Sequence, residues 1–213
     1  MNLLITELFK SIQGESSWAG KPCSFIRLTG CPLRCRWCDS VYTFKGGEAI
    51  SLEEILARVA HFGLPLVEVT GGEPLAQANC IPLLQALADQ GYTVLLETSG
   101  ALSIAEVPPS VHIIMDLKCP GSGMEERNLW ENIPKLGAKD EVKFVVADRH
   151  DFDWACGIIR KYRLDERCPL LFSPAWGQVQ AKDLAAWILE ENLACRLNLQ
   201  QHKYLWGPRA KGV

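Results

Sequence analysis

The sequence lacks an excess of either charge: 22 Lys and Arg stand against 25 Asp and Glu, a net charge of −3. Such a balance gives no field for gripping a nucleic-acid backbone, which excludes a nucleic-acid partner. No run approaches the roughly 20 apolar residues that cross a bilayer. The start, MNLLITELFKSIQGES, has no basic region ahead of an apolar stretch. The expectation is a cytoplasmic protein with no membrane association. Internal repeats and low-complexity tracts are also missing, and the Pro/Gly/Ser-rich places (19–22, 108–110, 120–123, 173–177) are too short to link domains. At 213 residues and 48% apolar composition the chain fits one domain over residues 1–213. Nine cysteines, an odd number without an export signal, argue for thiols or metal ligands over a disulfide framework.

Continuous apolar runs predict strands at Cys23–Thr29, Leu66–Thr70, Thr93–Leu96, His112–Leu117, Glu141–Val146, Leu170–Phe172 and Arg196–Leu199. Runs without alternation suit a parallel sheet covered on both faces. Helical patterns lie at 51–62, where Ser51 and Glu54 form a capping box, and at 81–90 and 182–192. Strand-helix alternation implies right-handed crossovers in a doubly wound sheet or a barrel. A full eight-fold barrel needs about 250 residues, and several crossovers lack a helical pattern. The expectation is therefore an α/β partial TIM-like barrel of parallel strands with a reduced number of helices. Residues 1–22 form an N-terminal extension, a hairpin or strand at the barrel edge. Polar groups follow each strand, at the carboxyl ends where parallel barrels carry chemistry.

Three cysteines crowd into eight residues, Cys31-Pro-Leu-Arg-Cys35-Arg-Trp-Cys38, and no fourth follows in the loop. A closed zinc site or a ferredoxin-type cluster takes four ligands. Three thiolates on a four-iron cube leave one iron open to a small chelator. A zinc knuckle completed by a distant His or Cys remains the competing reading. The other six cysteines (Cys23, Cys80, Cys119, Cys156, Cys168, Cys195) are expected in the core, and His61, His112 and His150 are expected to be structural.

The cysteine spacing, with Gly71-Gly72-Glu73-Pro74 after the second predicted strand, resembles the radical S-adenosylmethionine superfamily. The resemblance implies a radical SAM core holding a 4Fe-4S cluster on Cys31, Cys35 and Cys38, with S-adenosylmethionine as the source of a 5'-deoxyadenosyl radical. By the same resemblance Trp37, Gly72, Glu97, Ser99, Asp116, Lys118, Ser173 and Trp176 are cofactor contacts. The two adjacent glycines suit close backbone approach to a ligand.

Phe9-Lys-Ser-Ile12-Gln13-Gly14-Glu15, the Cys38-Asp39-Ser40 end of the cluster loop and Leu199-Gln-Gln-His202-Lys-Tyr-Leu together resemble the 7-carboxy-7-deazaguanine synthases. This likeness covers nearly the whole chain. It implies a lyase of the queuosine and deazapurine pathway that contracts the ring of 6-carboxy-5,6,7,8-tetrahydropterin with loss of ammonia. Ile12, Gln13, Gly14, Glu15, Arg27, Thr70 and His202 match its substrate contacts, and Ser40 matches a Mg2+ ligand. A guanidinium such as Arg27 suits a substrate carboxylate in two-pronged geometry, and Mg2+ favours hard oxygen donors with retained water. The resemblance further implies a homodimer and an external one-electron donor of flavodoxin or ferredoxin type. A glycyl-radical activase shares the short cluster loop and compact size, and a non-catalytic zinc module remains the alternative of another class. In some family members the chain stops after a segment like Tyr204–Pro208; here Arg209–Val213 extend past it, which argues against a role for Pro208 or the terminus.

Overall fold

The first two strands, β1 (Asn2–Ile12) and β2 (Pro22–Leu28), pair antiparallel, with Ile12 opposite Pro22. The structure, a computed structural model, describes residues 1–213. The pairing register of β1 slips between Ile5 and Glu7. An extra residue in one strand switches which side chains face which side. Leu3 and Ile5 accordingly pack on the helix side, whereas Glu7 and Phe9 line a cavity on the other face. A short β3 (Glu48–Ser51) pairs with the first residues of β1, so β3 and not the N-terminal extension forms the sheet edge.

From β2 onward the sheet is parallel: β4 (Leu66–Gly71), β5 (Thr93–Thr98), β6 (His112–Leu117), β7 (Glu141–Val146), β8 (Leu170–Pro174) and β9 (Arg196–Leu197) follow in sequence order. The nine strands run β3-β1-β2-β4-β5-β6-β7-β8-β9 and do not close, which makes a partial barrel. The crossovers carry α1 (Leu52–Phe62), α2 (Cys80–Asp89), α3 (Arg149–Tyr162) and α4 (Ala181–Glu190), and a one-turn α5 (Gln201–Leu205) ends the fold. The β5–β6 and β6–β7 connections have only loops or 3-10 turns, in keeping with the reduced helix number. No helix is long and apolar enough to cross a membrane.

Helix α1 begins as the capping box predicts, with Ser51 Oγ accepting from Glu54 N–H. Helix α3 was hidden by the charges in RHDFDWACGIIRKY. It nonetheless buries Phe152, Ala155, Cys156 and Ile159, a stripe three and four residues apart, and Asp148 caps its start by accepting from Asp151 N–H. The last strand stops at Leu197, two residues earlier than its apolar run suggests, because Asn198 turns its side chain inward to hydrogen-bond Ser173 and Glu15.

Strands buried on both faces divide their residues by parity. Val67, Val69, Val94 and Leu96 pack outward against α1 and α2. The concave side has an apolar floor of Cys23, Phe25, Leu66, Leu95, Ile114 and Leu171. Cys80, Cys119, Cys156 and Cys168 are likewise buried in the core, and no cysteine is in a disulfide. His112 faces Trp18 edge-on and contacts the Lys139 carbonyl, while His61 and His150 lie exposed.

Candidate active site

Above the apolar floor the inward positions of the strands change from hydrocarbon to charge. Arg27 on β2, Glu68 and Thr70 on β4, Glu97 on β5, Asp116 on β6 and Lys143 on β7 all line one cavity of about 840 Å³. Charged groups interrupting otherwise apolar strands cost desolvation free energy, and so are retained where they are paired or serve a ligand. The cavity wall also includes Ile12, Gln13, Gly14, Glu15, Cys31, Cys35, Trp37, Cys38, Ser40, Gly72, Ser99, Lys118, Trp176 and His202. Of the residues singled out from sequence, Ser173 alone is absent from the wall. Its fully buried hydroxyl accepts from Asn198 Nδ2 at 2.9 Å, which makes it a support for the strand behind the cavity.

The cluster loop leaves β2 at Gly30, whose φ of +97° is a turn that glycine adopts without strain. Its three thiols are free and half-buried. Burial pushes the thiols of Cys31 and Cys35 above their ordinary range, and the Lys118 ammonium offsets only part of that rise. Arg34 Nη1 donates to the carbonyls of Cys31 (2.7 Å) and Leu33 (2.6 Å) while its guanidinium stacks over Phe44, which pins the loop from outside. Three unpaired thiols on one loop, facing one cavity, fit a 4Fe-4S cluster with an open iron.

The glycine pair permits a close approach within the protein itself. A Cβ on Gly71 would lie 2.3 Å from the Leu28 carbonyl oxygen, and one on Gly72 would lie 2.3 Å from that of Gly30 and 2.8 Å from Cys31 Cβ. The close approach is therefore between the β4 turn and the root of the cluster loop. Glu73, fully buried, accepts from Leu75 N–H, Thr98 Oγ1, and both the N–H and hydroxyl of Ser99. It staples the ends of β4 and β5 together and fixes Ser99.

At the end of the cavity nearest the cysteine loop, Lys118 Nζ pairs with Asp116 Oδ2 at 2.9 Å. Asp116 Oδ1 is buried without a hydrogen-bond partner, an acceptor available to a bound donor. Glu97 accepts from Thr70 Oγ1 (3.1 Å) and from Lys143. Trp176 packs edge-on against Tyr204 at the rim.

The opposite end joins the loop after β1 to the C-terminal residues. Gln13 is held on several sides: Nε2 donates to Glu68, Oε1 accepts from Glu15 N–H (2.6 Å), and its backbone pairs with Lys21 and Gly20. Glu15 Oε2 meets Lys143 Nζ at 2.9 Å and Oε1 accepts from Gln200 Nε2 at 2.9 Å. Burial alone raises the Glu15 carboxyl, but Lys143, His202 and Gln200 together outweigh it and hold the group at about 2. Burial likewise pushes the His202 imidazole below its ordinary value, toward the neutral form. Arg27 Nε donates to Glu7 Oε2 at 2.9 Å, Tyr42 donates to the same oxygen, and the Arg27 Nη groups have no protein partner. Ser40 Oγ donates to Asp39 Oδ1 at 3.3 Å, while Asp39 Oδ2 pairs with Lys203 at 2.6 Å.

Two expectations follow. The Gly14 carbonyl accepts from Gln201 N–H, and a Cβ there would meet His202 Nδ1 at 2.4 Å and its backbone nitrogen at 2.9 Å. Gly14→Ala will force α5 off the loop, lowering thermal stability by about 1–3 kcal/mol and raising KM for the substrate; an unchanged midpoint and KM would refute the contact. The depressed Glu15 carboxyl makes a stabilising contribution that is complete above its ordinary 4.5 and lost as pH falls toward 2. The stability difference between wild type and Glu15→Gln will shrink across that window and stay constant above it.

Lys143, Glu68 and Lys203 were not expected in the cavity, and Gln200 only as one of the polar residues after the last predicted strand. A usable signal existed for the first two, since Glu68 is the one charge of its strand and Lys143 interrupts the apolar run Val142–Val146. The tail also departs from expectation. Gly207, with φ of +90°, turns the chain back, Gly207–Val213 line the cavity, and Lys211 Nζ stands 4.3 Å from the Tyr42 ring centroid.

Comparison with known proteins agrees with this geometry. The family model described as the radical SAM superfamily matches residues 25–113. The chain is 46% identical to the 7-carboxy-7-deazaguanine synthase of Koribacter versatilis, covering 98% of this chain and 99% of that protein. It is also 46% identical to that of Chlorobaculum tepidum, covering 99% and 97%. Among solved structures, that of QueE from Escherichia coli superposes with a TM-score of 0.79 at 25% identity, over 95% of both chains. Streptococcus suis SuiB bound to S-adenosylmethionine, with a TM-score of 0.53 at 14% identity over 79% of this chain and 44% of that one, shares the fold. Full-length identity of this order settles membership: the chain belongs to the 7-carboxy-7-deazaguanine synthase family, within the radical S-adenosylmethionine superfamily.

Proposed function

We propose that the protein converts 6-carboxy-5,6,7,8-tetrahydropterin to 7-carboxy-7-deazaguanine, with one cavity holding the cofactors at one end and the pterin at the other. The observation that carries this is the shared wall: the free cysteine triad and the Arg27–Glu15–His202 group open onto the same 840 Å³ space. When bound, the cluster on Cys31, Cys35 and Cys38 with S-adenosylmethionine supplies the hydrogen-abstracting radical. The chain's own residues bind, orient and exclude water. The unpartnered Asp116 Oδ1 suits a hydroxyl donor of the cofactor, with Trp37, Gly72, Glu97, Ser99, Lys118 and Trp176 around it.

At the substrate end, the free Nη groups of Arg27 would take the pterin carboxylate in two-pronged fashion. Glu15, held ionised, accepts from ring and amino N–H groups, and His202 and Thr70 offer further polar contacts. Gln13 contributes by holding the loop. Ser40 beside Asp39 offers few oxygens for Mg2+, so the ion would take its remaining ligands from water and the substrate carboxylate, as Mg2+ favours. Nine thiols free of disulfides support a cytoplasmic setting. We extend the reading to a homodimer fed by an external flavodoxin or ferredoxin. Family membership sets aside the glycyl-radical activase and the zinc module.

The test is anaerobic incubation of reconstituted protein with dithionite, S-adenosylmethionine and carboxytetrahydropterin. Formation of deazapurine with release of ammonia is expected; cofactor cleavage without deazapurine would defeat the substrate assignment.

A further inference from the structure

Six side-chain carboxylates and six Lys or Arg side chains line the cavity, and one lysine gathers three of the carboxylates. Lys143 lies in the middle of β7, 3% exposed, and its register neighbour on β6 is Asp116. Its Nζ lies 2.9 Å from Glu15 Oε2, donates to Glu97 Oε1 and stands 3.9 Å from Asp116 Oδ2. These partners come from three separate places: the loop after β1, the end of β5 and the end of β6. Burial alone would drive the ammonium toward its neutral form, but the three carboxylates reverse this and push its pKa well above the ordinary value.

We propose that Lys143 is a positioning residue that joins the two ends of the cavity, fixing Glu15 on the pterin side against Glu97 and Asp116 on the cofactor side through a single ammonium. The proposal rests on the reading of Glu15 as a substrate contact and of Glu97 and Asp116 as cofactor contacts. Glu15 lies on a loop outside the sheet, so its aim depends on the groups that hold it. Facing it are Lys143 from β7, His202 and Lys203 from α5, Glu68 from β4, Glu97 from β5, Asp116 from β6 and Arg27 from β2, with Asp39 beyond. Lys143 is the cation within hydrogen-bond distance; Lys203 is committed to Asp39 and Gln200. Without it, like charges converge on one point, and at least one carboxylate must take up a proton near neutral pH.

The experiment compares reconstituted wild type, Lys143→Met, Lys143→Arg, Glu15→Gln and the Lys143→Met/Glu15→Gln double variant by anaerobic calorimetry. Binding of S-adenosylmethionine and of carboxytetrahydropterin is measured separately from pH 6 to 9. Wild-type pterin affinity is expected to be flat in pH. In Lys143→Met it falls by roughly 30-fold or more at neutral pH and recovers as pH rises, a profile that general loosening of the fold would not give. Cofactor affinity weakens with it, and the costs of Lys143→Met and Glu15→Gln are strongly non-additive, as coupled neighbours require. Should Lys143→Met fail to fold, Lys143→Arg decides: its retained charge keeps the pH profile flat while its different shape weakens both ligands together. Wild-type affinities, a flat profile in Lys143→Met, additive costs, or an Arg variant that weakens neither ligand or only one would overturn the proposal. If Glu15→Gln itself binds the pterin normally, the substrate role of Glu15 falls and the proposal falls with it. Normal loss in Glu15→Gln beside an unaffected Lys143→Met removes the proposal alone.

Discussion

Cys31→Ala, Cys35→Ala and Cys38→Ala are each expected to abolish cofactor cleavage and product formation. Wild-type protein after anaerobic reconstitution should carry about four irons with matching sulfide, and each variant should fall far short of that and lose its brown colour. The fold should survive. None of the three belongs to a core cluster, and the loop is held by Arg34 and by the contact between Gly72 and Gly30, not by the thiols. Stability of the metal-free variants should stay within about 0.5 kcal/mol of metal-free wild type, as for substitutions away from the packed interior. A variant with full iron content and turnover would remove that cysteine from the cluster.

The second large effect is expected at Arg27. Its guanidinium is held by Glu7, which Tyr42 also fixes, leaving the Nη groups turned to the cavity. Arg27→Met removes the partner of the substrate carboxylate and strands Glu7. Truncating one member of a buried charge pair costs about 2–5 kcal/mol, so KM should rise by roughly 30-fold or more. Arg27→Lys keeps the charge but not the two-pronged geometry and should fall between. Cofactor affinity, measured without substrate, should be unchanged in both. Equal loss of cofactor and substrate affinity would instead make Arg27 a structural part of the wall.

The parallel sheet was legible because its strands are buried on both faces and so appear as unbroken apolar runs. The same property concealed part of the site. Glu68 and Lys143 look like interruptions of a strand, and only the barrel's curvature shows that inward parity brings them to one point. Helix α3 escaped notice because an amphipathic helix with a charged outer face has no unbroken apolar run. The bulge in β1 that turns Glu7 toward the cavity follows from pairing with β2, a contact no local pattern encodes. Gly72 lines the cavity and is also required by a neighbouring backbone, while Ser173 stands behind the wall, bonded to Asn198. Motif spacing identifies which residues matter and leaves open whether they act on the ligand or on the protein.

The wall around Glu15 has a temporal consequence. Its partners Asn198 and Gln200 lie 183 and 185 residues further along the chain. A chain emerging from the ribosome at about 5–20 residues per second can form β1 to β5 and the cluster loop well before either partner exists. For the seconds of synthesis that remain, Glu15 has neither its lysine nor its amides. The substrate pocket is thus the last part of the protein to come into being, and a nascent chain that has reached its cluster loop is not yet an enzyme.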